Sequence, residues 1–182
     1  MLRKPEAIAI LDVVRQDPAN TFVLWLLDLA YAFSLVLQGR IAKSIRWLKQ
    51  GILEREKESF QMRAEWFRIL LCQVYLEIIE GNEKPPFSAL VQNLPTLLWV
   101  KILGPSRVRA TLNRVYPLFL THTGPDSVFV AICEMILGLL DRTQRRRESA
   151  LEHLAEAKRI LSQFGQTPLL ARVETALAEL GQ

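Results

Sequence analysis

The chain has 182 residues, of which 50% are hydrophobic and 23% are charged, and its formal net charge is +4. This length is enough to bury one core, and the high apolar content excludes an intrinsically disordered chain. The small excess of Lys and Arg permits an acidic partner, nucleic acid or anionic lipid but requires none of them. Cys72 and Cys133 lie far apart in apolar segments. Their spacing indicates reduced core cysteines rather than a disulfide framework.

The start of the chain is predicted to be helical. Apolar residues recur there, as in most of the chain, at spacings of three and four, which is typical of amphipathic helices. The first helix is predicted from Lys4 to Arg15, with Pro5 in its first turn. The charged opening MLRKPEAIAILDVVRQD lacks the continuous apolar core of a secretory signal. We therefore expect a cytoplasmic protein.

The second helix is predicted from about Ala19 to Gln38, ending at Gly39. It contains the apolar run from Thr21 to Leu37, which is interrupted by Asp28. A central Asp costs ~2.5 to 3.5 kcal/mol on membrane-insertion scales, and a span needs about 20 residues. We therefore expect a helix buried in protein, although a transmembrane span remains an alternative.

Two further helices are predicted from Arg40 to about Glu58 and from Ser59 to Glu80. The segment from about 81 to 104 is predicted as an irregular insertion, with a short helix, a break at Asn93-Leu94-Pro95 and a second short helix. A further helix is predicted from Arg107 to Thr121, interrupted or bent near Pro117, because proline removes an intrahelical hydrogen bond.

The C-terminal part is predicted to form three helices. The first runs from Ser127 to Leu140, with Asp126 as its N-cap, and the second ends at Gly165. The last occupies about 167 to 180, with Thr167 as N-cap and Pro168 at its first position. Its partly polar surface suits a capping helix.

A pattern of small and large residues predicts that the first two of these C-terminal helices form a hairpin. Gly138 on one helix and Ala150 and Ala157 on the next are small enough to let two antiparallel helices approach closely. Leu137 and Leu154 fill the seam beside them. These spacings match the ~34-residue tetratricopeptide repeat (TPR). The consensus aromatic and tyrosine positions hold Glu134 and Asp141 instead, so an ordinary amphipathic hairpin remains the alternative.

The same pattern recurs about three periods earlier. If Ala32 takes the position of Gly138, then Ser44, Leu48 and Gly51 fall at the matching offsets. Taking Cys72 as the small residue of an intermediate repeat places Tyr75 at the consensus tyrosine. We predict an all-α fold in which TPR-like antiparallel hairpins stack in a short right-handed superhelix, as one domain covering residues 1–182.

Several segments carry a more specific resemblance: GNEKPP, NLPTLL, EMILGLL, LAEAKRILSQFGQTP and LARVETALAEL. From about Phe60 to Gln182 the chain resembles the TPR-containing region that follows class III adenylate or guanylate cyclase domains in alphaproteobacterial proteins. The resemblance implies a role in regulation or partner contact, with a covalently linked cyclase domain in relatives. The residues of that catalytic domain are not in this chain, so no catalytic role carries over. A fragment, a truncated relative and a stand-alone repeat protein all remain open.

The sequence predicts no catalytic, cofactor or metal site. His122 and His153 belong to no zinc-binding spacing, and phosphate-binding glycine loops are lacking. His153 is predicted to be a solvated surface residue, and Asp28 to pair with a neighbouring cation or face a groove. We therefore expect a non-enzymatic scaffold that binds a protein partner or self-associates.

Two sets of residues are candidates for the binding surface. An apolar groove is predicted on the first helices of the repeats, with burial by the protein's own helices as its alternative. Its residues are Leu29, Phe33, Val36, Trp66, Ile69 and Gln73. An anion-facing set suggests the alternative function, a basic module for nucleic acid or anionic membrane. Its residues are Lys101, Arg107, Arg109, Arg114, Arg142, Arg145, Arg146 and Arg147. A solvated positive face without a dedicated ligand is the alternative for this set.

Overall fold

A computed structural model describes residues 21–57, 61–81, 87–165 and 167–181. Within these ranges the chain forms seven α-helices, one 3-10 turn and no β-strand, which confirms the predicted all-α class. The helices are α1 Thr21–Leu37, α2 Ile41–Lys57, α3 Gln61–Glu80, α4 Phe87–Thr123, α5 Val128–Thr143, α6 Arg147–Leu161 and α7 Pro168–Leu180, with the 3-10 turn at Ser162–Phe164. The helix predicted from Lys4 to Arg15 lies outside the described residues.

The caps of the C-terminal helices follow ordinary hydrogen-bonding chemistry. The Thr167 hydroxyl accepts a bond from the Leu170 N–H at 3.2 Å, which confirms the predicted start of α7. At the start of α5 the cap is Ser127, whose hydroxyl accepts from the Val130 N–H at 3.3 Å. The prediction of Asp126 was wrong, because that carboxylate instead accepts a bond from Arg159 at 2.7 Å.

Helix α4 is continuous where the sequence predicted a break. It contains Pro95, Pro105 and Pro117, each of which removes one backbone hydrogen bond. Pro95 and Pro117 are exposed, so water can satisfy the carbonyl groups that they release. Packing fixes the opposite side of the helix: the Asn93 side chain donates to the Gly39 carbonyl at 2.6 Å and accepts from the Ala42 N–H at 3.2 Å. Tertiary contacts thus offset the cost of the prolines.

Each helix packs against the next one along the described chain, and the most extensive contact joins α5 to α6. Alternate helices also touch, in the series α1 to α3, α3 to α5 and α5 to α7, and α2 touches α4. One cluster of buried apolar side chains extends from Ala32 to Ala176. No helix in the described part of the chain is both long and apolar enough to cross a bilayer.

Candidate interaction surfaces

The small residues of the predicted repeats lie where helices approach closely. A Cβ added to Gly138 would lie 2.6 Å from Leu154 Cγ and 3.1 Å from the Leu154 backbone nitrogen. A Cβ added to Gly51 would lie 2.5 Å from Cε1 of Phe67. All the residues predicted for repeat packing are buried: Ala32, Ser44, Leu48, Gly51, Cys72, Tyr75, Leu137, Gly138, Ala150, Leu154 and Ala157.

Three of the six residues of the predicted apolar groove are covered by the protein itself, so their assignment to a partner surface was wrong and the alternative of burial holds for them. Trp66, Ile69 and Gln73 are buried. The Trp66 ring meets Phe129 of α5 edge to face, with 5.3 Å between ring centroids, because α5 packs on this side of α3. Phe33 and Val36 are half-buried, and Val36 packs against the core. The side chain of Leu29 lies outside the described residues.

Two buried carboxylates, one on α1 and one on α5, are each paired with a side chain of the next helix. Asp28 on α1 lies 3.3 Å from Nη2 of Arg55 on α2. This agrees with the prediction that Asp28 pairs with a neighbouring cation. Glu134 on α5 lies 2.6 Å from Nδ1 of His153 on α6. Both pairs join the two helices of one hairpin, so the charges serve helix packing.

His153 is half-buried, and the prediction of a solvated surface residue was wrong. The bond to Glu134 raises the pKa of His153 above its ordinary value of 6.5, against the opposing effect of burial. Its second nitrogen, Nε2, lies 3.9 Å from Asp141 Oδ2. The His153 imidazole therefore lies between two buried acids of α5, Glu134 and Asp141. Burial and a hydrogen bond with Glu134 also raise the pKa of Tyr116 on α4.

Asp141 is the centre of a second contact, between α4, α5 and α6. This fully buried carboxylate accepts hydrogen bonds from Arg109 on α4 and from Ser149 Oγ on α6, the latter at 2.7 Å. Arg146 in the α5 to α6 turn lies 3.8 Å away. A buried charge requires such partners, because an unpaired one is costly. The guanidinium of Arg109 is thus paired with a buried carboxylate rather than free on the surface.

A further group of ion pairs joins the alternate helices α3, α5 and α7. Glu80 on α3 lies 2.7 Å from Arg142 on α5 and also pairs with Arg172 on α7. Arg172 reaches Glu77 as well, and Arg142 pairs with Glu179. Arg142 is therefore part of the helix packing, and its assignment to an anion-facing surface was wrong.

The remaining predicted anion-facing residues do not act as one free positive surface. Arg114 lies 3.2 Å from the buried Glu65, and Lys101 donates to the Ile79 carbonyl at 2.7 Å. The guanidinium of Arg107 lies 4.7 Å from the centre of the Trp99 ring. Within the described chain, exposed Arg145 and Arg147 in the α5 to α6 turn form no ion pair. Among the described residues, these two exposed guanidinium groups of the set contact neither a carboxylate nor an aromatic ring.

An exposed apolar row on α4 was missed by the sequence analysis. Val91, Leu94, Leu98 and Ile102, here called the α4 stripe, are 52% to 72% exposed. Their spacings of three and four place them on one helix face. The signal was present, but the expected break at Pro95 divided it between two short helices.

No family model, curated protein or solved structure matches the chain. The resemblance to cyclase-associated TPR regions therefore stays a prediction.

Proposed function

We propose that the chain is a non-enzymatic, TPR-like scaffold for protein–protein contact, built from the hairpins α1 to α2, α3 to α4 and α5 to α6 and capped by α7. The contact series through α1, α3, α5 and α7 carries this proposal, because stacked hairpins bring alternate helices together. The buried small residues Ala32, Cys72 and Gly138 occupy equivalent places on α1, α3 and α5. A right-handed superhelix is the arrangement that we infer for this stack.

The pairing of the buried charged residues supports a structural role for them rather than a catalytic one. Both ring nitrogens of His153 face carboxylates that also join helices, and Ser149 donates to Asp141. An activated nucleophile instead needs its hydroxyl to face the base. The polar groups of this region thus stabilise the hairpin and its contact with α4.

The α5 to α6 turn is the surface that we propose for the partner. Arg145 has a backbone φ of 60°, a left-handed conformation that ends the helical path of α5, and its side chain is exposed. Arg147 is exposed in the first turn of α6. Guanidinium groups bind carboxylates in a bidentate manner, so an acidic partner segment suits this turn.

The relationship to the regulatory region of a bacterial nucleotidyl cyclase is part of the same proposal, and it rests on the sequence resemblance. In that setting the partner is a cyclase domain or a protein that controls one. The alternative of a broad basic surface for nucleic acid is weakened, since Arg109, Arg114 and Arg142 are paired with carboxylates.

Co-purification from the native cell tests the scaffold proposal. We expect a partner protein to be retained by the wild-type chain and lost from an Arg145→Glu, Arg147→Glu double variant. The matched control reverses two exposed cations of α2, Lys43→Glu with Arg46→Glu, and should retain the partner. Nucleotide turnover by the purified chain, or partner retention that is indifferent to the turn variant, would overturn the proposal.

A further inference from the structure

The α4 stripe places apolar side chains on the solvent-facing side of a helix, where polar side chains are usual. The solvent-facing side of an amphipathic helix is normally polar, and its apolar side faces the core. Helix α4 does bury an apolar side, which includes Val100 and Val108. Its opposite side nevertheless presents Val91, Leu98 and Ile102 to solvent. An exposed row of this kind marks a contact surface.

Cations border the stripe. Lys101 lies one turn after Leu98 and is exposed. On the other side, the Trp99 ring has Lys49 Nζ of α2 at 5.0 Å from its centre and the Arg107 guanidinium at 4.7 Å. The sequence contains no Asp or Glu from 84 to 125. Helix α4 therefore brings cations and no carboxylate to the borders of the stripe.

This charge pattern selects the kind of occupant. A second copy packed stripe to stripe would bring Lys101 and Arg107 towards their own counterparts without acids on α4 to balance them. A partner helix is normally received in a groove, whereas the stripe is a ridge on a single helix. An anionic bilayer offers a deformable apolar layer beneath a layer of phosphates, which suits an apolar ridge bordered by cations.

We propose that the α4 stripe docks on an anionic membrane surface, with Leu98 and Ile102 entering the boundary between headgroups and acyl chains. Lys49, Lys101 and Arg107 then contact lipid phosphates, since the Ile79 carbonyl accepts from only one of the three N–H donors of Lys101. Trp99 lies at the level of the headgroups, where tryptophan is favoured. The helix lies along the surface. This function is additional to the proposed scaffold.

Vesicle sedimentation with the full chain tests the docking. We expect binding to phosphatidylcholine vesicles that contain phosphatidylglycerol, weak binding to pure phosphatidylcholine, and a decrease with salt. The double variant Leu98→Ser, Ile102→Ser should lower the partition coefficient at least about tenfold. Phe164→Ser is the matched control, since Phe164 is similarly exposed but lies in the 3-10 turn, and it should bind as the wild type does.

A fluorescent label locates the contact directly. Ile102→Cys labelled with an environment-sensitive nitrobenzoxadiazole group should gain emission on anionic vesicles, and Phe164→Cys should not. Burial keeps the native thiols unreactive, and it raises the pKa of Cys72 to about 12.

Four outcomes would overturn the docking proposal. They are undiminished vesicle binding by the Leu98→Ser, Ile102→Ser variant, equal emission changes at both labelled sites, a stripe-dependent dimer that does not bind vesicles, and stripe-dependent binding of duplex DNA without vesicle binding. The scaffold proposal is tested by Arg145 and Arg147, so the two proposals can fail separately.

Discussion

The hairpins α1 to α2 and α5 to α6 share one pattern of small residues, but these residues make room for different neighbours in the two hairpins. Gly138 makes room for Leu154, which belongs to its own hairpin. Gly51, at the position equivalent to Ala157, makes room for Phe67 of the following helix α3. One pattern therefore provides close approach both within a hairpin and between successive hairpins, which is what a stacked array requires.

The polar residues of the two hairpins diverge more strongly. Asp28 and Glu134 occupy equivalent positions, one turn before the small residue, and both are buried. Three residues after the small residue, however, α1 carries the buried Leu35, whereas α5 carries the buried Asp141. The C-terminal hairpin thus replaces an apolar contact with an ionic one, and through it gains Arg109 of α4 as a partner.

Truncation of Leu154 should have the largest effect on the C-terminal hairpin. Leu154→Ala removes a fully buried side chain and should lower the free energy of unfolding by about 2 to 5 kcal/mol. Gly138→Ala should cost about 1 to 3 kcal/mol by overpacking, although Ala is a better helix former than Gly by about 1 kcal/mol. Urea unfolding of the two variants and the wild type measures both free-energy changes.

The two changes should be coupled. In the Leu154→Ala background the added methyl of Gly138→Ala no longer meets Leu154 Cγ, so its penalty should shrink. Gly104→Ala is the control, because its Cβ would meet side-chain atoms of Ile79 and Val100 and not Leu154, the nearest of them at 3.2 Å. Strict additivity, or a stabilising Gly138→Ala, would contradict the close approach at this seam.

Loss of the ionic contact of Asp141 should have the next largest effect on the free energy of unfolding. Asp141→Asn keeps the shape of the side chain but removes the charge that Arg109 meets, at a cost of about 1.5 to 3 kcal/mol. Asp28→Asn should cost less, because its partner Arg55 is at the longer distance of 3.3 Å. Unfolding of both variants, and of Asp141→Asn combined with Arg109→Gln, measures the difference. A larger loss at Asp28 would reverse the proposed contrast between the hairpins.

Local patterns predicted the helices well, but not their mutual contacts. The cap at Thr167 and the small residue Gly138 could be recognised because neighbouring residues determine them. The burial of Trp66 could not, since it depends on where α5 packs. The continuity of α4 through Pro95 likewise depends on anchoring by Asn93 to the distant Gly39 carbonyl.

Ion pairs between distant parts of the chain escaped prediction for the same reason. Arg172 on α7 reaches Glu77 and Glu80 on α3, and no spacing rule within one helix relates these residues. The groove was chosen from the repeat register, and the anion-facing set from residue type. Residue type shows what a side chain can bind, whereas the stacking of the helices decides whether it is already bound.

The smallest expected effect is a pH dependence confined to the C-terminal hairpin, because the position of His153 is occupied by Trp47 in the N-terminal one. The folded pKa of His153 is raised by Glu134. Its stabilising contribution is therefore complete below the unfolded pKa of about 6.5 and is lost as the pH rises through the higher folded value. Wild type should exceed His153→Gln in unfolding free energy by up to ~1 kcal/mol at pH 6, and by less at pH 9.

Urea unfolding of both proteins at the two pH values measures this difference, and the Glu134→Gln background identifies its source. In that background the carboxylate that stabilises the imidazolium is absent. The effect of His153→Gln on the unfolding free energy should then no longer decrease as the pH rises. If it falls equally in that background, Asp141 at 3.9 Å is the dominant partner of the imidazolium instead. The outcome decides which of the two buried acids makes the C-terminal hairpin responsive to pH.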